Sequence, residues 1–190
     1  NLNRDDTNSP KECEFGGYRR ARLSSQCIKR SIRKYFKDNE LVPVDELATR
    51  TSSLVKDLTG RLVKAGKLEE DAKLASISAI EATGKLKLKE KEKTEYLLFL
   101  GEKEIQAVFN VILSKWQQLT AKSPDTKQIE AIGKSVVEAL NGGKAIDLAL
   151  FGRMLADLPD KSRDAACQVA HAISTHKVGV EFDFYTAMDD

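Results

Sequence analysis

The 190-residue chain carries 31 Lys and Arg against 29 Asp and Glu, a formal net charge of +2, with 41% hydrophobic and 32% charged residues. That balance excludes a histone-like polycation and an acidic-tail protein, and the length suffices for one core, or one core with a smaller lobe. Cys13, Cys27 and Cys167 form no CxxC pair and leave an odd count, which argues against a disulfide framework and for a reducing cytoplasm.

No apolar run reaches the roughly 18 residues of a membrane span, so no membrane partner is expected. The opening Asn1-Leu2-Asn3-Arg4-Asp5-Asp6 is polar and is no secretory signal. A start without Met and an end on Asp189-Asp190 read as the cut ends of a longer protein.

The first 37 residues hold ten cations and four acids, so the front of the chain is strongly basic while the remainder is net acidic. Residues 1–10 read as a loop, in which Arg4 either contacts a phosphate or pairs with Asp5 or Asp6. Gly16-Gly17 permits a tight turn or a close backbone approach, and Tyr18 to Leu23 follows as a short strand with Arg20 and Arg22 on one side. Ser24 is the predicted N-cap of a helix running to Lys37. At about 100° per residue, Cys27, Ile28, Ser31, Ile32, Tyr35 and Phe36 share an arc expected to face a core. Gln26, Lys29, Arg30, Arg33, Lys34 and Lys37 share the other. Single-sign loading forgoes the i,i+4 pairs that stabilise a solvated helix, and it fits a bound polyanion. Lys29 and Arg33, one turn apart, have a spacing close to that of adjacent phosphates, and Gln26 adds a hydrogen-bonding group.

The middle reads as helical: 44–64 started by Asp45, 69–83 stopped by Gly84, 102–119, and 125–140 closed by Asn141-Gly142-Gly143. Residues 85–93 contain no turn residue and read as an exposed connector or edge strand, and 94–100 as a buried strand. Trp116 reads as a core or interface anchor. In the last third, 145–150 reads as a strand, 163–176 as a helix with Ala166, Val169, Ala170 and Ile173 inward, and 180–185 as an alternating strand.

Catalytic signatures are missing. There is no GxxxxGK[ST] loop, GxSxG elbow or GxGxxG pattern. On a helix, His171 and His176 at i,i+5 would diverge, which does not suit the i,i+4 pair of a zinc site, and no cofactor is called for. Cys167 and His171 at i,i+4 would touch as a buried pair. The acid pairs Asp5-Asp6 and Asp189-Asp190 suit solvated loop ends better than a magnesium site.

Three ordered blocks carry a family resemblance. The first is Leu2-Asn3-Arg4-Asp5-Asp6, then Phe15-Gly16-Gly17, then Arg20-Ala21-Arg22-Leu23-Ser24-Ser25-Gln26-Cys27-Ile28-Lys29-Arg30-Ser31-Ile32-Arg33. The second is Ile146-Asp147-Leu148-Ala149-Leu150-Phe151-Gly152-Arg153-Met154. The third runs Ala170-His171-Ala172-Ile173-Ser174-Thr175-His176 and closes on Phe184-Tyr185-Thr186-Ala187-Met188-Asp189-Asp190. Together they resemble the CasC family, the repeated backbone subunits of the type I-E CRISPR Cascade complex, while the central helices diverge.

The resemblance implies an α+β fold with an RRM-like (ferredoxin-like) palm, incomplete here, and an inserted helical fingers lobe. Palm would span 1–43 and 142–190, and fingers 44–141. It implies a non-catalytic subunit that oligomerises with copies of itself along a CRISPR guide RNA and grips the sugar–phosphate backbone, so that bases pair with target DNA. Other Cascade subunits and a separate helicase–nuclease would be its partners. Asn3, Arg4, Lys11, Ser24, Gln26, Lys29 and Arg33 would contact guide RNA, and Met154 would sit near a kinked base. The alternative is a backbone subunit like those of type III complexes, which also cuts RNA with magnesium and an acid among Asp5, Asp6 and Asp189. Holding any guide sequence calls for phosphate and sugar contacts rather than base readout, and 6% aromatic residues leave few rings for stacking.

Overall fold

The computed structural model describes residues 3–90, 92–121, 125–141 and 145–179. The fold is α+β, as expected, and divides into two compact units: residues 1–41 with 167–190, and residues 42–166. The larger unit thus continues to Ala166, beyond the residue 141 at which the sequence reading closes the helical lobe.

The first unit is a helix and a small antiparallel sheet. β1 (Glu12–Phe15) and β2 (Tyr18–Leu23) form a hairpin in the register Glu12 with Ala21 to Phe15 with Tyr18. Gly16 and Gly17 take φ of 65° and 76°, the two left-handed residues that a two-residue turn matching strand twist requires. α1 spans Ser25–Asp38. Ser24 caps it as expected, accepting from the Cys27 amide at 3.3 Å. The expected core face is only half realised. Cys27, Ile28, Ile32 and Phe36 are half-buried, Ser31 and Tyr35 are exposed, and no residue of α1 is buried.

That third strand is β7 (Ala172–Ile173), paired with Leu23 and Arg22 of β2. The helix expected over 163–176 does not form. Arg163 instead bridges Arg153, the Ala166 amide donates to Ala149 O at 3.0 Å, and Ala172–Ile173 adds to the edge of β2. With no helix, neither the Cys167–His171 pairing nor the helical geometry of His171 and His176 applies. The strand expected at 180–185 lies outside the described residues.

The second unit holds the core. β3 (Ala48–Thr51) and α2 (Leu54–Lys64) replace the single helix expected over 44–64, with a one-turn 3₁₀ helix at Val44–Glu46 before them. The β-branched pair Thr49 and Thr51 suits β3, which pairs antiparallel with β6 (Leu98–Gly101). α3 (Glu69–Glu81) matches its expectation. The 85–93 segment, read as lacking a turn, folds into a tight hairpin of β4 (Leu88–Lys89) and β5 (Lys93–Thr94), with Glu90 at φ 52°. The buried strand is shorter than 94–100, because Tyr96 and Leu97 are exposed. α4 (Glu102–Ser114) and α5 (Trp116–Leu119) divide the expected helix at Lys115. Trp116 packs partly buried on the core, with Lys67 Nζ 4.7 Å from its ring centre.

α6 (Thr126–Ala139) begins with Asp125 accepting from the Lys127 amide, as its sequence signals. α7 (Ile146–Phe151) is a helix where a strand was expected. A short apolar run fits a strand or a buried helix equally. Here Asp147 accepts from the Ala48 amide, and Gly152 at φ 71° ends the turn. Leu58, Leu62, Ile80, Leu100, Ile105, Ile112 and Ile132 knit α2, α3, α4 and α6 onto β6. No helix among the described residues is long and apolar enough to cross a membrane.

Candidate nucleic-acid interface

The N-terminal end of α1 gathers three of the candidate residues. Asn3 takes φ 61°, a left-handed conformation Asn tolerates better than most side chains. Its side chain then works like a short extra strand: Nδ2 donates to Arg22 O at 2.8 Å and Oδ1 accepts from the Ser24 amide at 2.9 Å. Its own carbonyl accepts from the Lys11 amide at 3.0 Å. Lys11 Nζ then donates to Ser24 Oγ at 3.3 Å, the same oxygen that caps α1. Ser24 is only 2% exposed, so one buried hydroxyl ties the hairpin, the N-terminal loop and the helix together.

α1 carries the rest of the set away from this knot. Gln26 is exposed, with Ser25 Oγ donating to its Oε1 at 3.5 Å. Lys29 and Arg33 are half-buried, and both, like Arg30, are engaged within the chain. A bound phosphate chain would have to exchange with those contacts. The helix has no acid in its first turn.

Arg4 turns into its own loop. Its NH1 donates to Asn8 O at 2.7 Å, and Arg4 forms an antiparallel bridge with Pro10. Asp5 closes the loop by accepting from Thr7 Oγ1 at 2.8 Å and from the Ser9 amide at 2.8 Å. The Thr7 hydroxyl, then the Ser9 amide, hold this carboxyl below its usual range. Asp189 lies outside the described residues, and among those described no three His, Cys, Asp or Glu side chains gather as a metal site.

Met154 belongs to the other unit, where it is 84% exposed. Its neighbour Arg153 is wholly buried in an ion pair with Glu104, NH1 lying 2.8 Å from Oε2, and donates from Nε to Lys161 O at 2.9 Å. An exposed thioether thus follows directly on a side chain anchored in the interior of its unit.

Two contributors escaped the sequence reading. Arg20 donates to Phe15 O at 2.9 Å and to Ser174 O and Thr175 O at 3.0 and 2.7 Å, clasping the C-terminal segment to the hairpin. His171 Nδ1 accepts from the Ser25 amide at 3.0 Å, which makes it an acceptor at the first turn of α1. The sequence reading weighs His171 only as a helical partner of His176 or Cys167 and within the third resemblance block, none of which points to the start of α1.

The family model described as CT1975-like protein matches residues 1–190. Two solved structures are similar. A chain of a CRISPR RNA-guided surveillance complex is 26% identical with a TM-score of 0.70, covering 93% of this chain and 55% of its own length. A chain of a CRISPR RNA-guided surveillance complex in a pre-nicking state is 30% identical with a TM-score of 0.74, covering 100% of this chain and 53% of its own. The chain therefore spans about half the length of these relatives. No curated protein matches it. The full-length match and the shared fold establish that the chain belongs to the CT1975-like protein family.

Proposed function

We propose that the chain is a non-catalytic backbone subunit of a type I-E Cascade complex, binding CRISPR guide RNA through the N-terminal end and cationic face of α1. The observation that carries this reading is the Asn3–Lys11–Ser24 knot, which fixes the start of a helix bearing five cations and one terminal acid. A helix start presents its positive dipole end to an anion, and cations further along extend that field. The likeness to chains of RNA-guided surveillance complexes supports RNA as the polyanion. Residues 1–43 and 142–190 are read as palm and residues 44–141 as fingers. In this reading Asn3, Arg4, Lys11, Ser24, Gln26, Lys29 and Arg33 face the guide, Met154 meets a displaced base, copies of the chain line the guide, and other Cascade subunits and a helicase–nuclease join the assembly.

The test is RNA binding as a function of salt. The chain should bind single-stranded RNA with little base preference. Lys29→Ala with Arg33→Ala should lower the log–log salt slope by roughly 0.7 per lost phosphate contact. An unchanged slope overturns the assignment of these two residues. Magnesium-dependent cutting of complementary RNA by the chain overturns the non-catalytic part.

A further inference from the structure

Lys11 and Arg22 face one another across the β1–β2 hairpin. Glu12 pairs with Ala21, so the preceding step sets Lys11 opposite Arg22, and the Arg22 amide donates to Lys11 O at 3.1 Å. Side chains directly opposite in an antiparallel pair share a face, and like charges there destabilise the sheet. The neighbouring arginines avoid the difficulty. Arg19, on the other face, pairs with Glu12 at 3.3 Å, and Arg20 spends its guanidinium on three carbonyls. Arg22 does neither: its Nε is buried with no hydrogen-bond partner, the one such side-chain atom among the described residues. Asp5 of the N-terminal loop is occupied by Thr7 and Ser9.

A buried donor without an acceptor costs about 1–3 kcal/mol. Two apposed cations with one unmet donor, next to the Ser24 cap, form a place that an oxyanion would relieve. We propose that Arg22 is a phosphate ligand of this surface, its guanidinium leaving its resting position to take one oxyanion of a single-stranded RNA backbone beside Lys11 and the cap of α1. This rests on the RNA-binding reading and adds to it a residue outside the set the resemblance supplies. Arg22 is only partly buried as a whole. A turn of its side chain therefore brings Nε and a terminal amino group to the surface together, in the fork that suits a phosphate.

The experiment compares Arg22→Gln with Arg19→Gln in the complete chain, using labelled single-stranded RNA of mixed sequence. It also records the melting temperature without RNA. Arg22→Gln should weaken binding roughly tenfold and reduce the salt slope by about 0.7, with no fall in the RNA-free melting temperature, because it removes a repulsion and an unmet donor. Arg19→Gln should leave the slope unchanged. An unchanged slope in Arg22→Gln, or a reduced slope accompanied by a lower melting temperature, overturns the proposal. If wild type binds and Lys29→Ala with Arg33→Ala lowers the slope while Arg22→Gln does not, this inference alone fails. If wild type binds no RNA, the underlying reading fails with it.

Discussion

The Glu104–Arg153 pair shows how one residue's environment decides its worth. Both side chains are fully buried. Arg153 also donates to Phe99 O, Leu140 O and Lys161 O, while Glu104 Oε2 accepts from the Gly101 amide at the start of α4. Removing one member strands a charge and several backbone acceptors, a loss of about 3–5 kcal/mol. Arg153→Met and Glu104→Met should each lower urea-unfolding stability by that order, and the double variant should lose less than the sum. Full additivity would mean that the two charges do not support each other. At the opposite extreme, Asp5 is fully exposed, and its depressed titration reflects local hydrogen bonds. Its contribution to loop order is present above its ordinary value of 3.8 and disappears as pH falls through the lower folded value. An NMR titration should place Asp5 below 3.8, and Thr7→Val should move it back upward.

At the scale of elements, close approach explains a residue that helix propensity disfavours. Gly133 lies inside α6, where a Cβ would stand 1.9 Å from Ala82 O at the end of α3. Gly60 lies inside α2 with open space around the same position. Gly60→Ala should therefore raise stability by about 0.5–1 kcal/mol. Gly133→Ala should lower it by about 1–3 kcal/mol through overpacking. Opposite shifts in the urea midpoint are the check. The same contrast between local and distant causes explains which elements the sequence reveals. α1 and α6 announce themselves through adjacent caps, Ser24 and Asp125, and a long period of about 3.6 residues. α7 and the 163–176 segment are settled elsewhere: by Asp147 meeting Ala48, by Arg163 bridging Arg153, and by Ala172–Ile173 pairing with a strand about 150 residues upstream. The candidate interface divides in the same way. Its cations and the Ser24 cap are local features and legible, whereas the Asn3 bridge, the His171 acceptor and the apposition of Lys11 with Arg22 exist only once the hairpin and its partners have formed.

For the molecule as a whole, stability and charge are distributed unequally. Every buried apolar side chain among the described residues lies between Leu54 and Leu158, and in the unit that carries α1 the only buried described residue is Ser24. Among its described residues that unit is held by hairpin and side-chain hydrogen bonds rather than by a core, and it also carries the concentrated positive charge. Elements with few buried apolar contacts open locally at low cost. Amides of α1 and the β1–β2 hairpin should therefore exchange with deuterium faster than those of α2, α3, α4 and α6. A ligand that binds only the folded form adds RT ln(1 + [L]/Kd), about 2.7 kcal/mol at a hundredfold excess over Kd. Single-stranded RNA at that concentration should slow exchange in α1 and the hairpin by up to roughly a hundredfold, with little change in the helices of the other unit. Protection that appears first in α2 or α6 would place the RNA on the other unit and remove α1 as its seat.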